Sequence, residues 1–203
     1  MEDKILKTVL CKSKGEEGYT IADFQEDWKK GDKENIADFI YKRFNERYIL
    51  PFKNNPRKHG FSMMAVACLM IEALESFWQG LKDSKRYENG KKIWGEDFFE
   101  DFFKHCDELR DFKGQGEDFY KHVRCGILHQ AETKNGWKIR RDGDLLEKDT
   151  KTINATEFLK QLKKYLKRYR KDLETHDLED NIWVKFKEKM DYVIENCYPN
   201  TSA

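Results

Sequence analysis

Apolar side chains recur every three to four residues along most of this chain, the spacing that gathers them on one face of a helix. Over residues 33–50 the pattern is Ile36, Phe39, Ile40, Phe44 and Ile49, and Pro51 closes it because the residue before a proline avoids the α conformation. Residues 62–82 carry a wider stripe that includes Met63, Met70, Leu74 and Phe77, with Ala65 and Ala67 allowing close neighbours, so this helix is expected at the centre of the core. A third helix is expected over 96–112 from Phe98, Phe99, Phe102, Phe103, Cys106, Leu109 and Phe112, ended by Gly114 and Gly116. A fourth, over about 117–131, has Phe119, Val123 and Ile127 at intervals of four and stops before the turn dipeptide Asn135-Gly136.

After this helix the period changes. Residues 137–141 and 145–148 flank Asp142-Gly143, a turn signal between two short extended runs, which predicts a small β-hairpin insertion near 136–149. Asn154 and Glu157 have the spacing of a capping box and open a helix reaching about Thr175. A last helix over 178–196 repeats Ile182, Trp183, Phe186, Met190 and Val193, so the final two suit an antiparallel pair. Residues 11–18 and 29–35 are rich in Lys, Glu, Gly and Asp, so residues 1–32 are expected to be loosely packed. The fold class is therefore mainly α: a bundle of about five to six helices over 33–196, within a single domain of residues 1–203.

Composition narrows the classes of protein this can be. Charged and apolar residues each make up 38%, and the 14% aromatic content supplies enough buried area for a folded core. A net charge of +1 gives no global field for nucleic acid or anionic lipid, so any such recognition must be local. The five cysteines are widely spaced with no C-x-x-C pair, against a disulfide framework or zinc finger and in favour of a reducing cytoplasm. The patch Ile5, Leu6, Val9, Leu10 is too short for a signal sequence, and the most apolar stretch, 63–74, is interrupted by Glu72; neither secretion nor a membrane span is expected. P-loop, Rossmann, G-x-S-x-G and H-E-x-x-H patterns do not occur.

The segment from Tyr120 to Ala131 contains Arg124 and, five residues on, His129. It resembles the arginine, four to six residues, histidine motif of the HEPN superfamily (higher eukaryotes and prokaryotes nucleotide-binding). The resemblance implies an α-helical bundle over about 33–196, a homodimer, and metal-independent endoribonuclease activity of the kind used in toxin, antiphage and RNA-processing systems. An antitoxin or nucleotidyltransferase partner is implied with it, and no cofactor or metal. Residue chemistry agrees: cleaving RNA through its own 2′-hydroxyl requires proton transfer near neutral pH and a cation beside the phosphate. His129 would move the proton and Arg124 would hold a non-bridging oxygen in its planar donor fork, yielding a 2′,3′-cyclic phosphate.

His122, seven residues before His129, and Cys125 are candidate supporting residues. In the family's active ribonucleases the position after the arginine is commonly polar, often Asn; Cys125 there favours an alternative, a non-catalytic HEPN-like module binding RNA, nucleotide or protein. Lys160, Lys163, Lys164, Lys167, Arg168 and Lys171 make the penultimate helix basic, with Tyr165 and Tyr169 interleaved, a candidate RNA-tracking surface. The same charges also suit a solvated face behind an apolar seam. On an α-helix, residues five apart point about 140° away from each other, so Arg124 and His129 would meet more easily across a dimer than within one chain.

Overall fold

The computed structural model describes residues 2–12, 18–53, 57, 59–82, 86–88, 91–93 and 95–198. Among these the protein is mainly α, with nine α-helices and seven short strands. The chain divides into two compact units, one of residues 1–50, 76–82 and 166–203, the other of residues 51–75 and 83–165. Two long helices, α4 (Gly60–Gln79) and α8 (Ala155–Thr175), contribute residues to both.

The first unit begins with α1 (Glu2–Leu6), the antiparallel pair β1 (Val9–Cys11) and β2 (Tyr19–Thr20), and α2 (Ile21–Lys30). This corrects the expected loose N-terminal segment, because Leu10, Ile21 and Phe24 are fully buried. The physical cause is a capping box: the Asp23 amide donates to the Thr20 hydroxyl and the Thr20 amide to the Asp23 carboxylate at 2.7 Å, fixing the helix start so that Phe24 faces inward. Phe24 then meets Phe39 of α3 (Lys33–Phe44) and Phe186 of α9 (Asn181–Glu195). Where one helix is expected over 33–50, α3 passes into a π-helical turn, Asn45–Ile49, before Pro51. The end of α8 and α9 pack as expected, with the buried Trp183 indole donating to the Leu173 carbonyl at 3.0 Å.

The second unit holds most of α4, the paired strands β3 (Arg86–Glu88) and β4 (Lys91–Ile93), α5 (Gly95–His105), and a helical run made of α6 (Gly116–Asp118), a π-helical turn (Phe119–Arg124) and α7 (Cys125–Gln130). Its core is aromatic: Phe119 stacks on Phe99 and Phe158 at 5.4 and 5.6 Å and meets Phe103 and Phe112 edge-on. The helix expected over 96–112 breaks at Cys106 and continues as a 3-10 segment, Asp107–Phe112. In an unbroken α-helix Phe103 and Phe112 would be about 13.5 Å apart along the axis. Their rings are 5.4 Å apart, which requires the chain to turn back.

Strands form where the hairpin is expected, but they pair differently. The strands β5 (Lys138–Arg140) and β6 (Leu146–Glu147) lie on either side of β7 (Thr152–Asn154), β5 parallel and β6 antiparallel to it. All three residues of β7 are buried whereas the outer strands are partly exposed, so β7 takes the centre and Asp142-Gly143 links two edges rather than two partners. Asn154 caps α8, its side-chain oxygen accepting from the Thr156 and Glu157 amides. Helix α4 is long and apolar enough to cross a membrane by length and composition, and 56% of that window is buried within the protein, as in a core helix.

Candidate functional site

Arg124 is the last residue of the π-helical turn, in which the Cys125 amide reaches back five residues to the Tyr120 carbonyl. Such a turn admits one extra residue per turn and is frequent at functional sites. Two glycines bring backbone close to it. A Cβ on Gly95 would fall 2.3 Å from the Tyr120 ring, and one on Gly126 would fall 2.5 Å from the Glu132 carbonyl oxygen.

The Arg124 Nε donates to Glu72 Oε1 of α4 at 2.7 Å, with the two side chains 18% and 17% exposed. The guanidinium lies 5.3 Å from the Tyr120 ring centroid. Burial works to lower the Arg124 pKa, but the hydrogen bond and charge of Glu72 outweigh it and hold the pKa above its ordinary value, so Arg124 remains a cation. Beneath the pair Cys68 is fully buried, and burial pushes its thiol pKa up. With Nε given to Glu72, the two terminal nitrogens of Arg124 are the donors left for an oxyanion.

His129 stands on α7, exposed and without a hydrogen bond or ion pair among the described residues. Arg124 turns inward to Glu72 while His129 turns to solvent, the divergence expected of residues five apart. No hydrogen bond or contact joins the two within one chain among the described residues. Next to His129, Leu128 is 38% exposed; on α4, one turn before Glu72, Leu69 is 43% exposed. His122 is engaged elsewhere: its Nε2 lies 3.4 Å from Asp118, whose carboxylate also accepts from the Trp137 indole at 2.9 Å, and its Nδ1 is buried without a partner. That arrangement ties the π-helical turn to the chain entering β5.

On α8, Lys160, Lys164, Lys167 and Lys171 form one exposed row. Its ends are paired, Lys160 with Glu157 at 2.5 Å and Lys171 with Glu174 at 3.5 Å, and Arg168 lies 3.8 Å from Asp172. Lys163, Lys164 and Lys167 have no partner among the described residues. The interleaved tyrosines are not part of this face: Tyr165 and Tyr169 are buried, because positions 165, 166, 169 and 173 form the apolar seam. No base can stack on them there.

The residue that sequence reasoning missed is Glu72. Its signal was present, since a carboxylate inside an otherwise apolar core helix requires a partner. Glu75, one turn later and fully buried, obeys the same rule: the His105 ring lies 2.7 Å away, with the Tyr165 hydroxyl 3.4 Å from its other nitrogen. Comparison of the chain with protein-family models, curated proteins and solved structures finds no match.

Proposed function

We propose that the chain is an HEPN-like, metal-independent endoribonuclease that works as a cytoplasmic homodimer. The observation that carries this reading is a guanidinium held by Glu72 with its terminal nitrogens left over, followed on the same helical run by an exposed, uncommitted imidazole. In the reaction, His129 accepts the proton of a ribose 2′-hydroxyl as that oxygen attacks phosphorus. The bond to the 5′-oxygen breaks, the leaving oxygen takes up a proton, and a 2′,3′-cyclic phosphate remains. Arg124 donates to a non-bridging oxygen as charge builds there. A second copy supplies the complementary residue that one chain's geometry keeps apart, and the exposed Leu69 and Leu128, each one turn from its own half of the ion pair, offer apolar surface for the contact. Lys163, Lys164 and Lys167 would track the RNA backbone. A toxin or antiphage setting, with an antitoxin or nucleotidyltransferase partner, belongs to the same reading.

A second reading has its own support. Glu72 already neutralises Arg124, and Cys125 replaces the usual polar neighbour, as suits a module that binds RNA, nucleotide or protein without cutting. Incubating wild-type, Arg124→Ala and His129→Ala proteins with a mixed RNA pool in EDTA separates the two. Fragments ending in 2′,3′-cyclic phosphate, produced by the wild type alone, establish the nuclease. Retention of RNA by all three with no fragments establishes the binding module.

A further inference from the structure

A groove of about 750 Å³ lies in the second unit, away from the residues of the Arg124 site, where the chain leaves two parallel strands. Arg140 ends β5 with Arg141 and Asp142 just after it, Thr156 lies in the first turn of α8 after β7, and Gly60 and Phe61 come from the first turn of α4. Glycine at position 60 allows this close packing, since a Cβ there would sit 3.2 Å from the Ile139 side chain. Small-molecule sites typically span about 300–1,000 Å³, so the groove holds more than a simple anion.

Its lining has two chemistries. The Arg141 Nε donates to the Thr156 hydroxyl at 3.2 Å and its Nη1 to the Arg57 carbonyl, which orders the guanidinium in advance. Arg140 is exposed and has no partner among the described residues, an uncommitted cation beside an ordered one. The half-buried Phe61 and Ile139 supply an apolar wall, and the exposed Asp142, also unpartnered among the described residues, is an acceptor facing the same space. Two guanidiniums against one carboxylate leave a net positive charge that favours an oxyanion, and the exposed face of Phe61 suits one attached to a flat body.

We propose that this groove binds a phosphorylated nucleoside, either a free nucleotide or the 5′-phosphorylated end of an RNA strand. Arg140 and Arg141 hold the phosphate, the base lies against Phe61, and Asp142 accepts from a ribose hydroxyl. The inference is independent of the nuclease reading, because none of these residues belongs to the Arg124 and His129 arrangement.

Titration calorimetry of the full chain with adenosine monophosphate, adenosine and inorganic phosphate tests it. The monophosphate is expected to bind about tenfold or more tightly than adenosine or phosphate alone, and Arg140→Gln or Arg140→Glu to weaken it by about tenfold while the melting temperature stays put. Phe61→Leu should weaken the monophosphate but leave phosphate unchanged, and the 2′-deoxy compound should bind less well than the ribose form. A 5′-phosphorylated trinucleotide binding more tightly than the monophosphate identifies the strand end as the ligand; equal affinity identifies the free nucleotide. Adenosine binding as well as its monophosphate, Arg140 variants binding as well as wild type, or no measurable binding of the monophosphate would each overturn the proposal.

Discussion

Arg124→Ala and Glu72→Ala, alone and together, measure how firmly the candidate clamp is built into the fold. An exposed ion pair contributes up to about 1 kcal/mol, while breaking a fully buried one costs about 3–5 kcal/mol. The Glu72–Arg124 pair lies between these limits: both side chains are less than a fifth exposed and joined at 2.7 Å. Hydrogen bonds to charged groups contribute about 1.5–3 kcal/mol, and the guanidinium over Tyr120 adds about 0.5 kcal/mol. A coupling energy of about 2 kcal/mol is therefore expected, with the double variant less destabilised than the sum of the single ones. Urea unfolding of the four proteins, followed by tryptophan fluorescence, gives the cycle directly. At about 2–4 °C per kcal/mol for a chain of this size, Arg124→Ala should melt about 4–8 °C early. Coupling under about 0.5 kcal/mol would mean that the contact contributes no more than a surface pair, and the argument that Glu72 orders the clamp would fail. On the nuclease proposal, RNA cleavage adds an independent reading. Glu72→Ala keeps the cation but loses its orientation, so cleavage should fall without vanishing and return in part with Glu72→Gln.

Three further outcomes follow from particular contacts. Gly126→Ala should destabilise by about 1–3 kcal/mol in thermal melts, since the new Cβ would lie 2.5 Å from the Glu132 carbonyl and backbone must move; an unchanged melt would contradict the packing described. Ala131→Gly should raise stability by about 0.5–1 kcal/mol, because Ala131 ends α7 with φ of 56° in the left-handed region that glycine adopts freely. Lys164→Glu and Lys167→Glu should each weaken RNA binding and reduce the slope of log affinity against log salt by about 0.7 for a single strand; variants with wild-type slopes would exclude the lysine row from the RNA path.

The long helices were readable because their signal is local: Phe119, Val123 and Ile127 repeat at the helical period whatever they pack against. Where the reading departed from the structure, the deciding contact was distant in sequence or had no periodic signature. Nothing within 96–112 announces the break at Cys106; it follows from Phe103 and Phe112 stacking on each other and both meeting Phe119. The expected hairpin near 136–149 had its strands in the right places and the wrong pairing, because burial of Ile153 gives the central place to a strand outside that window. Helix α2 was different in kind. Its Thr20 and Asp23 capping box is local and visible, and the charged composition around it obscured it.

Helix α4 shows how far sequence can go toward a site. Its apolar stripe says that the helix is buried, and from that alone the charges at positions 72 and 75 must be answered, since an unpartnered carboxylate in a core is strongly disfavoured. Sequence thus indicates that partners are needed, but choosing among the possible basic residues and neutral donors requires the fold. Glu75 is met by His105, at the end of a helix 30 residues on, and Glu72 by Arg124, 52 residues on. The motif singled out Arg124 and His129 from chemistry and spacing, whereas Glu72 comes into view only in the fold, from its burial and its bond to Arg124. The two lines of reasoning use different residues and meet at one guanidinium, which is why the Glu72 and Arg124 cycle tests fold and function together.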